Sequence, residues 1–272
     1  MTSLPACKHL LLARDGSRLS IALNRPQTKN ALDAEMVAEL LSVVEYLESA
    51  RDIASILLRG AGGTFCAGGD IRGFMAQFSA PPAVPGEKDP IAVNNRRFGT
   101  FLARFDRLPQ TIVVAVEGAA FGGGLGLAAI GDVVVARADA RFALSETGLG
   151  IIPAQIAPFV AARIGVAAAR RLALTGMRFD GREAGRIGLV HQVCDDKASF
   201  EATLAKILAD IDRCAPGANA ATKRLLQASR TTPLEALLDD AADAFAAALR
   251  GAEGKEGVTA FLEKRPAAWS RK

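Results

Sequence analysis

The stretch TIVVAVEGAAFGGGLGLAA, residues Thr111 to Ala129, decides the fold class of this chain. Thr111 to Val116 is a short run of apolar residues rich in β-branched types, which predicts a strand buried on both faces. A glycine-rich turn follows, and the apolar segment after it predicts a helix that ends near Ala129. Strand, turn and helix in this order are typical of layered α/β proteins.

The first half of the chain continues this alternation on both sides. Leu19 to Leu23 and Ile53 to Leu58 predict strands, and Asp33 is placed to cap a helix whose apolar residues share one face. Three further elements are predicted, namely a helix over Asn94 to Leu108 and strands over Asp132 to Ala136 and Phe142 to Leu144.

Two regions interrupt or end this pattern. Four prolines between Ser79 and Pro90 predict an exposed, mobile loop inside the domain, because the alternation resumes beyond it. From about Pro153 the chain is rich in alanine, leucine and arginine at helical spacing, with almost no strand signal. We therefore predict a core over residues 1–200 and a helical C-terminal region over 201–272.

Composition excludes several classes of protein. With 272 residues, 50% of them hydrophobic and 23% charged, the chain is expected to be an ordinary soluble globular protein. Its longest uncharged stretch, Gly118 to Gly131, is shorter than the roughly 20 residues of a membrane span. The N-terminus lacks the apolar core of a secretory signal, so we expect a cytoplasmic protein without a membrane partner.

Cysteines, histidines and charges limit the chemistry further. The four cysteines form no CxxC pair and are expected to be reduced thiols, and two distant histidines do not predict a metal site. A net charge of +4 with interspersed signs permits an anionic ligand but does not indicate nucleic acid.

Two glycine-rich turns follow two predicted strands: TFCAGGDI, from Thr64, and EGAAFGGG, from Glu117. Backbone N–H groups at such turns point outward at the start of a helix, and two that converge would form an oxyanion hole. The alternative is that these glycines only allow a helix to pack closely on a sheet. Gly124 to Ala129 also matches a dinucleotide-binding fingerprint, but Glu117 to Phe121 intervene between it and the strand, which argues against NAD.

Five blocks in order resemble the enoyl-CoA hydratase/isomerase (crotonase) family over essentially the whole chain. They are NRPQTKNAL (Asn24 to Leu32), FCAGGDI (Phe65 to Ile71), AVEGAAFGGGLGLA (Ala115 to Ala128), RFALSETGLGIIP (Arg141 to Pro153) and AFLEKR (Ala260 to Arg265). The resemblance implies an α/β fold, a crotonase-like ββα spiral core with a helical C-terminal trimerisation region. It also implies a homotrimer or a dimer of trimers, and no cofactor beyond the CoA of the substrate.

The resemblance implies a role for particular residues of this chain. The thioester oxygen would be held by the backbone N–H groups of Gly69 and Gly123, and Glu146 would be the catalytic acid/base. Residues of the first turn would line the path of CoA; they are Ala67, Gly68, Asp70, Ile71 and Arg72. Arg25, Arg72 and Lys264 are candidate contacts for the CoA phosphates, the last together with Phe261 at a neighbouring subunit.

The chain departs from the family pattern where a typical hydratase has its first glutamate. That position is Gly126, which leaves Glu146 as the single carboxylate, and we expect the change to remove a negative charge and to add volume beside the reacting carbons. The segment IPAQIAPF, Ile152 to Phe159, resembles the branch that hydrates 3-substituted glutaconyl-CoA thioesters, such as isohexenylglutaconyl-CoA and 3-methylglutaconyl-CoA. Gln155 is a candidate partner there for a distal carboxylate or for the attacking water.

The hypothesis is therefore a hydro-lyase that adds water to a branched glutaconyl-type enoyl-CoA. A Δ3,Δ2-enoyl-CoA isomerase is the alternative enzyme, because one carboxylate is enough to move a proton between carbons. An RNA-binding relative of the family is a third possibility, which 6% aromatic residues and mixed charge make the weakest.

Overall fold

The computed structural model describes residues 3–77, 84 and 86–270, and it confirms the predicted α/β class. The strands are β1 Leu10–Asp15, β2 Arg18–Leu23, β3 Ser55–Gly60, β4 Thr111–Val116, β5 Ala119–Phe121, β6 Val133–Arg137, β7 Arg141–Ala143, β8 Arg178–Asp180 and β9 Gln192–Cys194. The helices are α1 Ala34–Ser49, α2 Ile71–Gln77, α3 Pro90–Asp106, α4 Gly123–Ala129, α5 Ala157–Thr175, α6 Gly181–Arg186, α7 Lys197–Asp212, α8 Pro216–Ala228, α9 Leu234–Arg250 and α10 Ala252–Leu262.

The strands form two sheets. The larger has the order β1-β2-β3-β4-β6-β9, in which β1 is antiparallel to β2 and every other pair is parallel. The smaller has the order β5-β7-β8. The chain crosses from the large sheet to the small one within three residues, because β4 ends at Val116 and β5 begins at Ala119.

This crossing repeats along the chain. Strand β5 is followed by α4, and the pair β6 and β7 makes the same passage between the sheets. After β3 a single bridge, Cys66 with Ala120, takes the place of the second strand before α2 begins. These are successive ββα turns, so the predicted spiral core is confirmed.

Each face of the large sheet is covered. Asp33 accepts a hydrogen bond from the Met36 N–H at 2.8 Å and starts α1, as predicted, and the apolar face of that helix packs into the main core. Helix α7 covers the other face, where Phe200 packs with side chains of β3, β4 and β6. Helix α7 crosses the 200/201 boundary, so the division of the chain at that point remains a prediction.

Two short strands follow Pro153, although the sequence there has almost no strand signal. Strands β8 and β9 each have only three residues, too few for an alternating pattern to show in the sequence, and each is added at the edge of an existing sheet. Strand β1 was also missed. Its residues pair along the whole length of β2 and so extend the sheet by one strand.

Part of the predicted loop, residues 78–83 and 85, lies outside the described residues. Helix α3 begins at Pro90, four residues before the predicted start at Asn94, and the Asp89 side chain caps it by accepting from the Ile91 N–H at 2.7 Å. Within the described ranges, none of the helices is both long and apolar enough to span a membrane.

Candidate active site

The first glycine-rich turn leaves one backbone donor facing away from its neighbour. Leu32 pairs with Gly69 in a parallel bridge, in which the Leu32 N–H donates to Gly68 O at 2.7 Å and Leu32 O accepts from the Asp70 N–H at 2.9 Å. In a parallel bridge of this kind, the N–H and C=O groups of Gly69, the residue between these two partners, point away from Leu32. Among the described residues, the Gly69 N–H has no acceptor, so it is free to donate to a ligand.

The second turn offers its donor at the start of α4. Gly123 is the first residue of that helix, and the N–H groups of a first helical turn have no partner inside the helix. Gly122 has φ 47° and ψ −114°, a conformation that favours glycine, and its own N–H donates to Ala143 O at 2.9 Å.

The fold brings the two turns together. Cys66 N–H donates to Ala119 O at 2.8 Å and Cys66 O accepts from the Phe121 N–H at 3.0 Å, so the turns are joined by backbone hydrogen bonds. A Cβ built on Gly123 would lie 2.7 Å from a Leu32 methyl carbon, Cδ1, and Leu32 is the residue paired with Gly69. The donors of Gly69 and Gly123 therefore flank one side chain.

Glu146 is the carboxylate beside the second turn. A Cβ built on Gly122 would lie 2.9 Å from Glu146 Oε1, which places the carboxylate against the residue that precedes Gly123. Its other oxygen, Oε2, is buried and has no hydrogen-bond partner among the described residues. Burial raises the pKa of the Glu146 carboxyl above its ordinary value, and backbone hydrogen bonds at Glu146 and Ser145 oppose this only in part.

Cys66 lies inside the first turn but contributes its backbone. The side chain is fully buried, and burial raises the pKa of the thiol to about 12. A thiol that stays protonated at neutral pH is a poor nucleophile. We therefore expect Cys66 to contribute its backbone to the turn rather than a nucleophilic thiol.

Gly126 does not open space beside the site, so the expectation of added volume is wrong. Its backbone is buried, and a Cβ built there would lie 2.4 Å from Cγ2 of Ile156. Ile156 comes from the residues just before α5 and fills the place into which a side chain at 126 would project. The missing glutamate has been replaced by apolar packing.

Gln155, the neighbour of Ile156, faces helix α3. Its Nε2 donates to Asn95 Oδ1 at 2.9 Å, and its Oε1 would lie 1.9 Å from a Cβ built on Gly99. One of its two amide N–H donors is therefore already used inside the chain, and its role toward a substrate stays a prediction.

Most of the predicted CoA contacts lie in or beside the first glycine-rich turn. Ala67 and Gly68 are in the first turn, where the Ala67 N–H donates to Lys29 O at 2.9 Å, and the exposed residues Ile71 and Arg72 begin α2. Arg25 lies beside the same turn, but its guanidinium forms ion pairs with Asp33 and Asp70. As contacts for CoA these residues stay predictions.

Phe261 and Lys264 lie elsewhere on the surface. Phe261 is in α10, which packs against α9, and Lys264 follows that helix; the Phe261 residue is 83% exposed. Their action at a neighbouring subunit remains a prediction.

Sequence reasoning missed three residues that shape the site: Leu32, Phe98 and Ile156. The ring of Phe98 would lie 3.5 Å from a Cβ on Gly123, and Ile156 packs on Gly126. Leu32 lies inside a quoted family block, so its place could have been inferred. Phe98 and Ile156 lie in apolar stretches without a distinctive pattern, and only tertiary packing identifies them.

A separate cleft of about 560 Å³ lies between α1, α3 and α8 and contains none of the predicted site residues. Its lining includes Arg51, Arg104, Arg107 and Arg224. The candidate site is therefore defined by its backbone donors and its carboxylate rather than by the volume of a cavity.

Comparison with known proteins identifies the family. The model of the family "Enoyl-CoA hydratase/isomerase" matches residues 14–272. A solved structure, Pseudomonas aeruginosa AtuE, is 50% identical with a TM-score of 0.92, over 97% of this chain and 100% of that one. This chain belongs to the enoyl-CoA hydratase/isomerase family and is an enzyme of that family.

Two curated relatives from Escherichia coli (strain K12) show how far the chemistry varies among similar proteins. The 1,2-epoxyphenylacetyl-CoA isomerase is 33% identical over 91% of this chain and 92% of its own length. The 2,3-dehydroadipyl-CoA hydratase is 30% identical over 94% of this chain and 96% of its own length. An acyl-CoA is accordingly the class of substrate for this chain.

Proposed function

We propose that this enzyme adds water to the double bond of a branched glutaconyl-type enoyl-CoA, with Gly69 and Gly123 as the oxyanion donors and Glu146 as the acid/base. One observation carries the proposal: the Glu146 carboxylate lies against Gly122, immediately before the free N–H of Gly123. Acid/base group and oxyanion donor are thus adjacent, as the reaction requires.

The chemistry follows from the thioester. Two N–H groups on the carbonyl oxygen withdraw electron density, which makes the β-carbon electrophilic and stabilises the enolate formed when water adds. Glu146, as the carboxylate, takes a proton from the attacking water and returns a proton to the α-carbon. A raised pKa improves the carboxylate as a base, since base strength rises with the pKa of the conjugate acid.

The same site works with one carboxylate. Gly126 cannot transfer protons, and Ile156 occupies the space where a second carboxylate would lie. In this proposal Glu146 both activates the water and protonates the enolate. We expect no cofactor or metal to take part, so dialysis against a chelator should leave kcat unchanged.

The choice of a glutaconyl-type acyl group rests on three supports. The segment Ile152 to Phe159 resembles the branch that acts on such thioesters. Among the relatives, the 2,3-dehydroadipyl-CoA hydratase is named for a substrate with a distal carboxylate. The site has one negative charge fewer than a two-glutamate site, which lowers the repulsion of an anionic acyl chain.

A Δ3,Δ2-enoyl-CoA isomerase is the second candidate, favoured by the single carboxylate and by the relative that is named an isomerase. Absorbance separates the two activities: hydration removes the conjugated enoyl-thioester band, whereas isomerisation of a 3-enoyl-CoA creates it.

The experiment is a steady-state comparison of isohexenylglutaconyl-, 3-methylglutaconyl-, crotonyl- and 3-enoyl-CoA. We expect one of the two glutaconyl thioesters to have the highest kcat/KM. If crotonyl-CoA has the highest value, the choice of substrate is wrong; if only the 3-enoyl-CoA reacts, the enzyme is an isomerase.

We further propose that the chain assembles as a trimer or a dimer of trimers in the cytoplasm. The C-terminal helices leave large apolar side chains exposed, and association would bury them. They include Leu234, Leu238, Phe245, Val258, Phe261 and Leu262.

A further inference from the structure

The segment that supports the Gly69 turn has an unusual backbone. Lys29 and Asn30 are consecutive residues with φ of 53° and 57°. These values lie in the left-handed region, which residues other than glycine adopt only rarely. Two such residues in succession store strain, which persists only where the surroundings hold it.

The side chain of Asn30 holds this turn. It is fully buried; its Oδ1 accepts from the Arg25 N–H at 2.8 Å, and its Nδ2 donates to Ala61 O at 2.9 Å and to Thr64 O at 2.6 Å. Ala61 and Thr64 lie between β3 and Cys66. Asn30 therefore connects the Lys29–Asn30 turn to the segment that leads into the first glycine-rich turn.

The Arg25 side chain holds the end of this segment that is nearer to Leu32. Its Nη1 donates to Ala31 O at 2.6 Å, and its Nη2 lies 3.1 Å from Asp33 Oδ2 and 3.2 Å from Asp70 Oδ2. Asp33 follows Leu32, and Asp70 follows Gly69. The guanidinium thus connects the two bridged segments one residue beyond the Leu32–Gly69 bridge. The Arg25 side chain is only 12% exposed.

We propose that Arg25 and Asn30 are positioning residues: they hold Leu32 against Gly69 and so aim the Gly69 N–H at the thioester oxygen. The inference rests on the proposed role of Gly69 as an oxyanion donor. It differs from the role that the family resemblance implies for Arg25, a direct contact with a CoA phosphate, and the two roles have different consequences.

The two roles for Arg25 can be distinguished, because one affects the affinity for CoA and the other affects the polarisation of the thioester carbonyl. Loss of a phosphate contact weakens the affinity for CoA and leaves the thioester carbonyl polarised once the substrate is bound. Loss of a positioning residue lowers kcat, because a donor misplaced by about 1 Å is worth about 100-fold in rate, and leaves the affinity for CoA unchanged. The polarisation can be measured directly, since the absorption of a conjugated thioester shifts to the red when its carbonyl oxygen accepts strong hydrogen bonds.

The experiment uses the full chain with hexa-2,4-dienoyl-CoA as the probe. For Arg25→Gln we expect loss of most of the red shift of the bound probe, a fall of about 10- to 100-fold in kcat, and an unchanged Kd for CoA. Arg25→Lys should lie between, because a single ammonium cannot contact Ala31 O and both carboxylates in the guanidinium geometry. This second variant serves if the first fails to fold.

Arg18→Gln is the matched control. Arg18 is the first residue of strand β2, whereas Arg25 follows the end of that strand. The Arg18 side chain is 16% exposed and pairs with Asp212 at 2.6 Å. Its loss removes a similarly buried ion pair far along the strand, so this variant should lose stability but keep the red shift and kcat.

Three results would overturn the proposal. If Arg25→Gln raises the Kd for CoA and keeps the red shift, Arg25 is a phosphate contact. If Arg18→Gln loses the red shift equally, the effect is general destabilisation. If the wild-type enzyme binds the probe without a red shift, there is no oxyanion site for Arg25 to support; failure to hydrate glutaconyl thioesters with the red shift intact would instead contradict only the proposed substrate.

Discussion

The two turns that supply the proposed oxyanion donors are held by different forces. The Gly69 turn lies in a polar frame in which Arg25, Asn30 and two aspartates form directional hydrogen bonds and ion pairs. The Gly123 turn packs among apolar side chains, those of Leu32 and Phe98. One donor depends on hydrogen-bond geometry and the other on close packing.

This difference predicts how each turn responds to change. A polar frame fails when a single partner is removed, because the groups left behind are buried without partners. A packed turn fails when atoms are added, since its neighbours must move. Substitutions that remove groups should therefore damage the first turn, and substitutions that add them the second.

The largest effect is expected from Gly123→Pro, which removes the donor N–H of the packed turn. Proline is tolerated at the first position of a helix, but its Cβ meets Leu32, so the variant is first checked for folding by its thermal unfolding. We expect a fall of about 100- to 1,000-fold in kcat, the usual effect of losing one oxyanion donor.

Gly123→Ala is the matched control for that variant. It brings the same Cβ against Leu32 but keeps the N–H group. Equal activity of the proline and alanine variants in steady-state assays would show that the N–H of residue 123 does not act on the substrate.

In the polar frame, Asn30→Ala should lower the free energy of unfolding by about 3 kcal/mol. It leaves Ala61 O and Thr64 O without their buried donor, and alanine is strained at this left-handed position. Asn30→Gly should recover about 1 kcal/mol, because glycine removes only the strain. Denaturant unfolding measures both, and equal stability of the two variants would mean that the turn is not strained.

A smaller effect tests the packing between Gly126 and Ile156. Gly126→Ala should lower the free energy of unfolding by about 1 to 3 kcal/mol, because the new Cβ meets Ile156. The same substitution should cost less in an Ile156→Ala background, which a double-mutant cycle detects. If the two costs are equal, Ile156 does not fill the space beside residue 126.

The smallest effect concerns the charge of Glu146. Its folded-state pKa is raised, so the protonated carboxyl stabilises the fold at low pH, and that stability is lost as the pH rises through the raised pKa. Glu146→Gln should therefore be slightly more stable than wild type at neutral pH, with the gain vanishing at pH values below the ordinary pKa of glutamate.

Glu183→Gln should change stability in the opposite direction. Hydrogen bonds from Arg186 and Arg171 lower the pKa of Glu183 to about 2, so its charge favours the fold at neutral pH. Thermal unfolding at several pH values measures both signs. A loss of stability in Glu146→Gln at neutral pH would contradict the assigned burial of that charge.

The sequence predicted the parts of the molecule whose signal is local. The apolar run of β4 and the capping residue Asp33 lie within the elements they specify, and both glycine-rich turns follow strands as expected. Strands β8 and β9 carry no such signal, since three residues acquire strand geometry only by pairing with a sheet edge.

The same limit applies to the candidate site. Gly69, Gly123 and Glu146 could be named from their motifs, and the structure places Glu146 beside Gly122. The sequence did not reveal that Ile156 fills the space at Gly126 or that Arg25 is paired with Asp70, because these contacts join segments far apart in the chain. A glycine such as Gly126, at a position where the family has a glutamate, shows that the side chain is missing but does not show which residue fills its space.

The central claim is that Glu146 transfers protons at a site where backbone N–H groups polarise the thioester. Glu146→Gln tests it most directly, with kcat on the best substrate and the red shift of bound hexa-2,4-dienoyl-CoA measured on the same preparation. We predict a fall of at least about 100-fold in kcat with the red shift retained, because the variant lacks the acid/base but keeps both donors. Near-normal turnover by Glu146→Gln would contradict the account.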